Sequence, residues 1–180
     1  MKPFLFFIIL YYSSKLPRKI PIYIHLVFLL LLIPVHRMYV PLTALLYCLF
    51  LQDLETMYIS KKWIAPSIMA GIFSLYSYWN LSSSLAALLF FFFPIFVLYR
   101  FKKDWIGSAD VCFIGYFSLL LGYQRMSVAL LIGTVFGLLF CLIFKKREIP
   151  FLCFLVVGVY ISCLYGYQLW YVLFRFFIPR

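Results

Sequence analysis

Long, uncharged apolar runs dominate this sequence and limit what the chain can fold into. A membrane-spanning helix needs roughly 20 consecutive apolar residues, whereas 67% hydrophobic and only 12% charged residues leave too little polar surface for a water-soluble domain. The sequence therefore predicts an all-α fold, a polytopic transmembrane helix bundle with about seven spans, forming a single domain over residues 1–180. The predicted spans are Ile20 to Val35, Met38 to Leu54, Trp63 to Trp79, Leu85 to Tyr99, Ala109 to Tyr123, Ser127 to Phe144 and Ile149 to Gly166.

Basic residues mark every second connection between these runs. The intervening connections carry only Arg37 and Arg125. Because cytoplasmic loops of membrane proteins are enriched in Lys and Arg, the basic side is predicted to be cytoplasmic and the bilayer to be a partner. The same clustering argues against nucleic acid as the reason for the net charge of +11. The eleven residues of the basic side are Lys15, Arg18, Lys19, Lys61, Lys62, Arg100, Lys102, Lys103, Lys145, Lys146 and Arg147.

The two ends of the chain and its cysteines add three further expectations. Phe4 to Tyr12 is too short to span the bilayer, and no small-residue cleavage site follows it, so it is expected to remain in the mature chain. Tyr167 to Ile178 leaves three alternatives open: extension of the last helix, a return, or an interfacial position. The five cysteines form no C-x-x-C pair, so neither a metal, a disulfide framework nor a cofactor is expected.

The five acidic residues are few enough to weigh one by one. Asp104 and Glu148 directly follow basic clusters and are interpreted as solvated counter-charges in loops. Asp53 ends one apolar run and Asp110 begins another, with two predicted crossings between them, so both return to the same membrane face. Glu55 lies about 200° around a helix from Asp53, so it is expected to point away from Asp53. The sequence therefore predicts that Asp53 and Asp110 are neighbours.

A pair of carboxyls in a partly desolvated site is suited to acid–base chemistry. Two like charges held close together cannot both ionise, so one group is available as base and the other as acid. Such a pair can hydrolyse a peptide bond without a metal or cofactor, and it titrates as a unit. Spacing alone leaves a structural alternative equally open, in which each aspartate caps a helix or pairs with a nearby lysine.

Three local motifs resemble those of the type IV prepilin peptidases. Asp53-Leu-Glu-Thr-Met-Tyr-Ile-Ser resembles their D-x-x-x-x-x-I-P stretch, with Ile59 at the isoleucine. Gly107-Ser-Ala-Asp110 resembles their G-x-G-D, and the run that begins at Glu148 resembles their I-P-F-x-P-F-L. The resemblance extends over about Pro21 to Gly166 and is strongest to the short, competence-type members of Gram-positive bacteria.

The resemblance implies an activity, a substrate and a location. Asp53 and Asp110 would be the catalytic pair of an intramembrane-type aspartic endopeptidase in the bacterial cell membrane, with Gly107 and Ile59 as supporting motif residues. The substrate would be a membrane-anchored prepilin or pseudopilin, cut at the cytoplasmic face. The paired C-x-x-C segment of longer family members is missing, so neither zinc nor methyl transfer is carried over.

Three positions depart from the family motifs, and they keep rival functions open. Ser60 stands where proline is usual, Ala109 replaces the second glycine of G-x-G-D, and Cys153 replaces a proline of I-P-F-x-P-F-L. One alternative is therefore a catalytically inactive scaffold of a pilus-like machine. Another is a small transport component that uses the aspartates to bind a cation or proton.

Overall fold

A computed structural model describes residues 40–56, 59, 63–75, 80–102, 105–145 and 150–175 of the chain. These residues form helices and connections with no strand, so the all-α prediction is confirmed. The chain divides into two compact units, Met1–Tyr76 and Ser77–Arg180. The helices are α1 (Val40–Thr56), α2 (Ile64–Leu75), α3 (Leu81–Phe101), α4 (Ser108–Phe144) and α5 (Phe151–Phe174).

Three helices within the described ranges are long and apolar enough to cross a membrane. They are α3 with 21 residues, α4 with 37 and α5 with 24, while the apolar part of α1 is shorter. The predicted runs from Met38 onward each correspond to a helix or to part of one. The first predicted run, Ile20 to Val35, lies outside the described residues, and the total of seven spans stays a prediction.

The start and middle of α3 follow from local chemistry. Asn80 caps the helix, because its Oδ1 accepts hydrogen bonds from the main-chain nitrogens of Ser82 at 3.1 Å and Ser83 at 3.4 Å. The helix thus begins four residues before the predicted start at Leu85. It widens into a π-helical turn at Leu88–Phe92, just before Pro94, whose ring lacks an N–H and would clash with the carbonyl four residues earlier.

Helix α4 joins two runs that the sequence analysis kept separate. A straight helix of 37 residues would extend about 55 Å, well beyond a hydrocarbon core of about 30 Å. The helix is broken at Gly122, whose φ of 72° and ψ of 177° are not helical. Ser83 Oγ of α3 accepts a hydrogen bond from the nitrogen of Tyr123 at 2.9 Å. Gly122 forms the break because its positive φ suits a residue without a Cβ.

Helices α4 and α5 pack closely through small residues. A Cβ on Gly133 would lie 3.1 Å from the Cα of Leu155, and one on Gly158 would lie 2.2 Å from the carbonyl oxygen of Ala129. Gly133 therefore lies in the helix interface against the backbone of Leu155, as small residues of membrane helix pairs do. Ser162 Oγ donates a 2.6 Å hydrogen bond to the carbonyl of Arg125 in the same interface.

The last helix resolves one of the alternatives left open at the carboxyl end. Helix α5 continues past the predicted end at Gly166 and reaches Phe174, so Tyr167 begins an extension of that helix. The guanidinium of Arg125 lies 4.4 Å above the ring of Tyr167, and this cation–π contact adds to the α4–α5 interface. Residues 176–180 lie outside the described part of the chain.

Candidate active site

Asp53 is buried in the last turn of α1. Its side chain is 5% exposed, and Leu49 and Leu46, four and seven residues earlier on the same helix face, are 0% and 2% exposed. A carboxyl group among leucines is costly to desolvate, so ionisable residues inside membrane helices are usually functional. The sequence placed Asp53 at a helix end, and its burial strengthens the case for a functional role.

Side-chain hydrogen bonds link the last turn of α1 to the start of α2. Trp63 Nε1 donates a hydrogen bond to Oε1 of Gln52, and Ser67 Oγ donates to the carbonyl of Trp63 at 2.6 Å. Ile59, the motif residue between the helices, is 8% exposed and therefore buries its apolar side chain. Neither Gln52 nor Trp63 was predicted from the sequence to have a role. The sequence feature that could have indicated them is a polar residue directly before Asp53, together with a tryptophan, which carries an N–H donor, at the start of the next apolar run.

Asp110 lies in the first turn of α4, where Gly107 is the N-cap. The nitrogen of Val111 donates to the carbonyl of Gly107 at 3.2 Å, which starts the helix. The carboxyl of Asp110 folds back over this cap, because a Cβ built on Gly107 would lie 3.0 Å from its Oδ2. The first turn is also where the helix dipole favours a negative charge, typically by about 0.3–1 kcal/mol at exposed sites.

The reason for a glycine at position 107 is space rather than backbone conformation. The φ of Gly107 is −64° and its ψ is 140°, values that any residue adopts. The close approach of another group, and not a positive φ, therefore explains the glycine. The group that approaches is the Asp110 carboxylate itself.

Two of the three departures from the family motifs lie in described residues, and both fit their surroundings. Ala109 is inside the first turn of α4, and alanine is favoured over glycine there by about 1 kcal/mol. The backbone at position 109 is helical, so alanine is accommodated there without strain. Cys153 is 2% exposed and its main-chain nitrogen donates to the carbonyl of Pro150. Ser60 lies outside the described residues.

The approach to α4 carries an exposed aromatic and basic surface. Lys102 Nζ lies 3.8 Å from the centroid of the Trp105 ring, and this ring is 72% exposed. Neighbouring Phe101 is 82% exposed. Aromatic and basic side chains together are typical of the membrane–water interface.

Asp53 and Asp110 belong to different compact units, so their meeting stays a prediction. Gly107 and Asp110, in contrast, are in contact. Across the described ranges no group of three His, Cys, Asp or Glu side chains is placed to hold a metal ion. The remaining acidic residues of the loops, Asp104 and Glu148, lie outside these ranges.

The fold and these residues define a helical membrane protein with acidic side chains at the ends of two of its helices. Comparison with protein families is consistent with that class: the type IV leader peptidase family matches residues 40–142. The chain belongs to this family. The matched range contains both aspartates, Gly107 and Ile59, but it is narrower than expected and ends before the third motif at Glu148. No curated protein and no solved structure matches the chain.

Proposed function

We propose that this chain is a membrane-embedded aspartic endopeptidase that removes the leader peptide of type IV prepilin or pseudopilin precursors. Asp53 and Asp110 form the catalytic pair, and cleavage takes place at the cytoplasmic face of the membrane. The observation that carries the proposal is the family match, which spans both aspartates. The short competence-type members are the part of the family that its motifs resemble most.

The surroundings of each aspartate support this assignment. Asp53 is buried in an apolar helix, where an acidic residue has no packing advantage over leucine. Asp110 lies at a helix start, beside a glycine whose missing Cβ leaves room for the carboxylate. Asp53 therefore lies where function outweighs the cost of burying a carboxyl, whereas the start of α4 favours the charge of Asp110.

The chemistry needs one ionised and one protonated carboxyl. The ionised group accepts a proton from water while the water oxygen bonds to the peptide carbonyl carbon, and the protonated group donates to the developing oxyanion. The tetrahedral intermediate then collapses: the carboxyl that took the proton from water passes it to the amide nitrogen, and the C–N bond breaks to release the amine. The hydroxyl formed from the oxyanion returns its proton to the other carboxylate as the new carboxyl product forms. General acid–base groups of this kind each contribute about 10²–10⁴-fold to the rate.

The substrate fits the membrane setting of the two aspartates. A prepilin is anchored by an apolar helix that follows its short basic leader, so its cleavage site lies at the cytoplasmic boundary. Basic residues within about eight positions of Asp53 or Asp110 in the sequence, such as Lys61 and Lys102, would repel a basic leader. These residues are assigned to anionic lipid, which attracts basic clusters by about 1 kcal/mol per residue.

The test is co-expression with a membrane-anchored prepilin, with leader removal followed by immunoblot. We expect the wild type to cleave and Asp53→Asn or Asp110→Asn to lower the rate by at least about 10²-fold, because each removes one member of the acid–base pair. The matched control is Glu55→Gln, which neutralises an acid two residues from Asp53 and should cleave normally.

Cleavage that survives either aspartate substitution would reject the pair. A well-folded wild type that processes no prepilin would favour the inactive scaffold. Loss of cleavage in Glu55→Gln as well would indicate that neutralising any acid in this turn damages the protein.

A further inference from the structure

The indole of Trp63 joins the end of α1 to the residue that precedes α2. Its Nε1 donates to Gln52 Oε1 across eleven positions of the sequence, in a part-buried setting. The main chain of Trp63 is held in turn, because Ser67 Oγ donates to its carbonyl at 2.6 Å. Ile59 between them is buried. Hydrogen bonds of the Trp63 indole and the Trp63 carbonyl therefore link the last turn of α1 to the first turn of α2.

This connection bears on the helix turn that carries Asp53. Helix α1 ends at Thr56, so Asp53 lies among the last residues, whose carbonyls have no partner within the helix. Such turns open more readily than the middle of a helix. Asp53 can stay 5% exposed only while this turn remains helical. Gln52 and Asp53 point about 100° apart on the helix, so Gln52 can bind the indole while Asp53 faces elsewhere.

We propose that Trp63 is a positioning residue for the peptidase reaction, acting through Gln52 to hold the last turn of α1 and the Asp53 carboxyl in place. This inference rests on the proposed function. A tryptophan at a membrane boundary can also be a plain interfacial anchor. The two roles differ in what they need, because anchoring requires the aromatic ring whereas positioning requires the N–H donor.

The experiment tests whether the reaction needs the aromatic ring of Trp63 or its N–H donor. Trp63→Phe keeps an aromatic ring but removes the N–H, and Gln52→Leu removes the acceptor while leaving Trp63 intact. Each is expected to lower kcat for prepilin cleavage about tenfold with KM changed less than about twofold, because small displacements of a catalytic group reduce the rate of the chemical step. The double variant is expected to be no slower than either single variant, since both remove the same hydrogen bond.

Trp170→Phe is the matched control. It makes the same chemical change in α5, where the ring of Trp170 stacks on Phe174 at a centroid distance of 5.5 Å, and it should cleave like the wild type. If Trp63→Phe fails to accumulate in the membrane, Gln52→Leu carries the test with the indole retained.

A second readout does not depend on activity. Hydrogen exchange of peptides that cover the last turn of α1 should be faster in Trp63→Phe and Gln52→Leu than in the wild type. A wild type that cleaves no prepilin would reject the proposed function, and exchange would then test the role of Trp63 by itself. Unchanged exchange, wild-type kcat in Trp63→Phe, or multiplicative losses in the double variant would each overturn the inference.

Discussion

The close approach of Gly158 to the backbone of α4 allows a quantitative prediction about stability. A Cβ on Gly158 would lie 2.2 Å from the carbonyl oxygen of Ala129, whereas carbon and oxygen atoms of packed helices lie about 3.3 Å or more apart. Gly158→Ala therefore requires α4 and α5 to separate by about 1 Å at this point. Ala129 is fully buried, so no free space accepts the shift.

The expected cost follows from two opposing effects. Overpacking of this kind costs about 1–3 kcal/mol, and a backbone obstacle places Gly158→Ala at the upper end. Alanine recovers about 1 kcal/mol through its higher helix propensity. The net loss is about 2 kcal/mol, which corresponds to a decrease in Tm of about 4–8 °C for a chain of this size.

A thiol-reactive fluorophore can measure this shift in detergent. Cys153 and Cys163 of α5 are 2% and 7% exposed and should be labelled only as the helix pair opens, whereas exposed Cys112 sets the baseline. The matched control is Gly166→Ala in the same helix. Its Cβ would meet side-chain rather than backbone atoms, Cγ of Arg125 and Oγ of Ser162 at 2.8 Å each, so its loss of stability should be smaller. A Tm for Gly158→Ala equal to that of the wild type or of Gly166→Ala would refute the reasoning.

Substitution of Gly122 is predicted to lower stability, whereas substitution of Gly107 is predicted to lower activity alone. Gly122→Ala should lower stability by about 1–3 kcal/mol, because its φ is 72° and the new Cβ would lie 2.6 Å from Ser83 Oγ; an unchanged Tm in the same assay would contradict this. Gly107→Ala should leave Tm unchanged, since its φ is −64°. It should reduce prepilin cleavage about tenfold or more by displacing the Asp110 carboxyl, and full activity would show that the carboxyl tolerates the crowding.

Much of the fold could be predicted from periodic and compositional patterns. Runs of apolar residues predict membrane helices because the hydrocarbon offers no hydrogen-bond partner to an irregular backbone. The runs at Leu85 to Tyr99 and Ile149 to Gly166 fall largely within α3 and α5. Their ends shifted by several residues, because the cap at Asn80 and the extension to Phe174 depend on local contacts that hydropathy does not report.

The candidate site was predictable in its residues but not in its environment. Few acidic residues in an apolar chain make Asp53 and Asp110 conspicuous, and their motifs placed them in a family that the comparison confirmed. The burial of Asp53 and the contact between Gly107 and Asp110 required coordinates. A sequence motif shows which residue types occur at fixed spacings, but it does not show how close their atoms lie in the folded protein.

Composition and motifs within a few residues of one another were enough to predict the helical class, the membrane setting and the two candidate acids. The coordinates were needed to find that Gly122 breaks α4, that Gly158 approaches the backbone of Ala129, and that Trp63 binds Gln52. These features depend on contacts between residues from about ten to forty positions apart. Short-range patterns carry no information about such pairs, because packing brings them together only after the helices have formed.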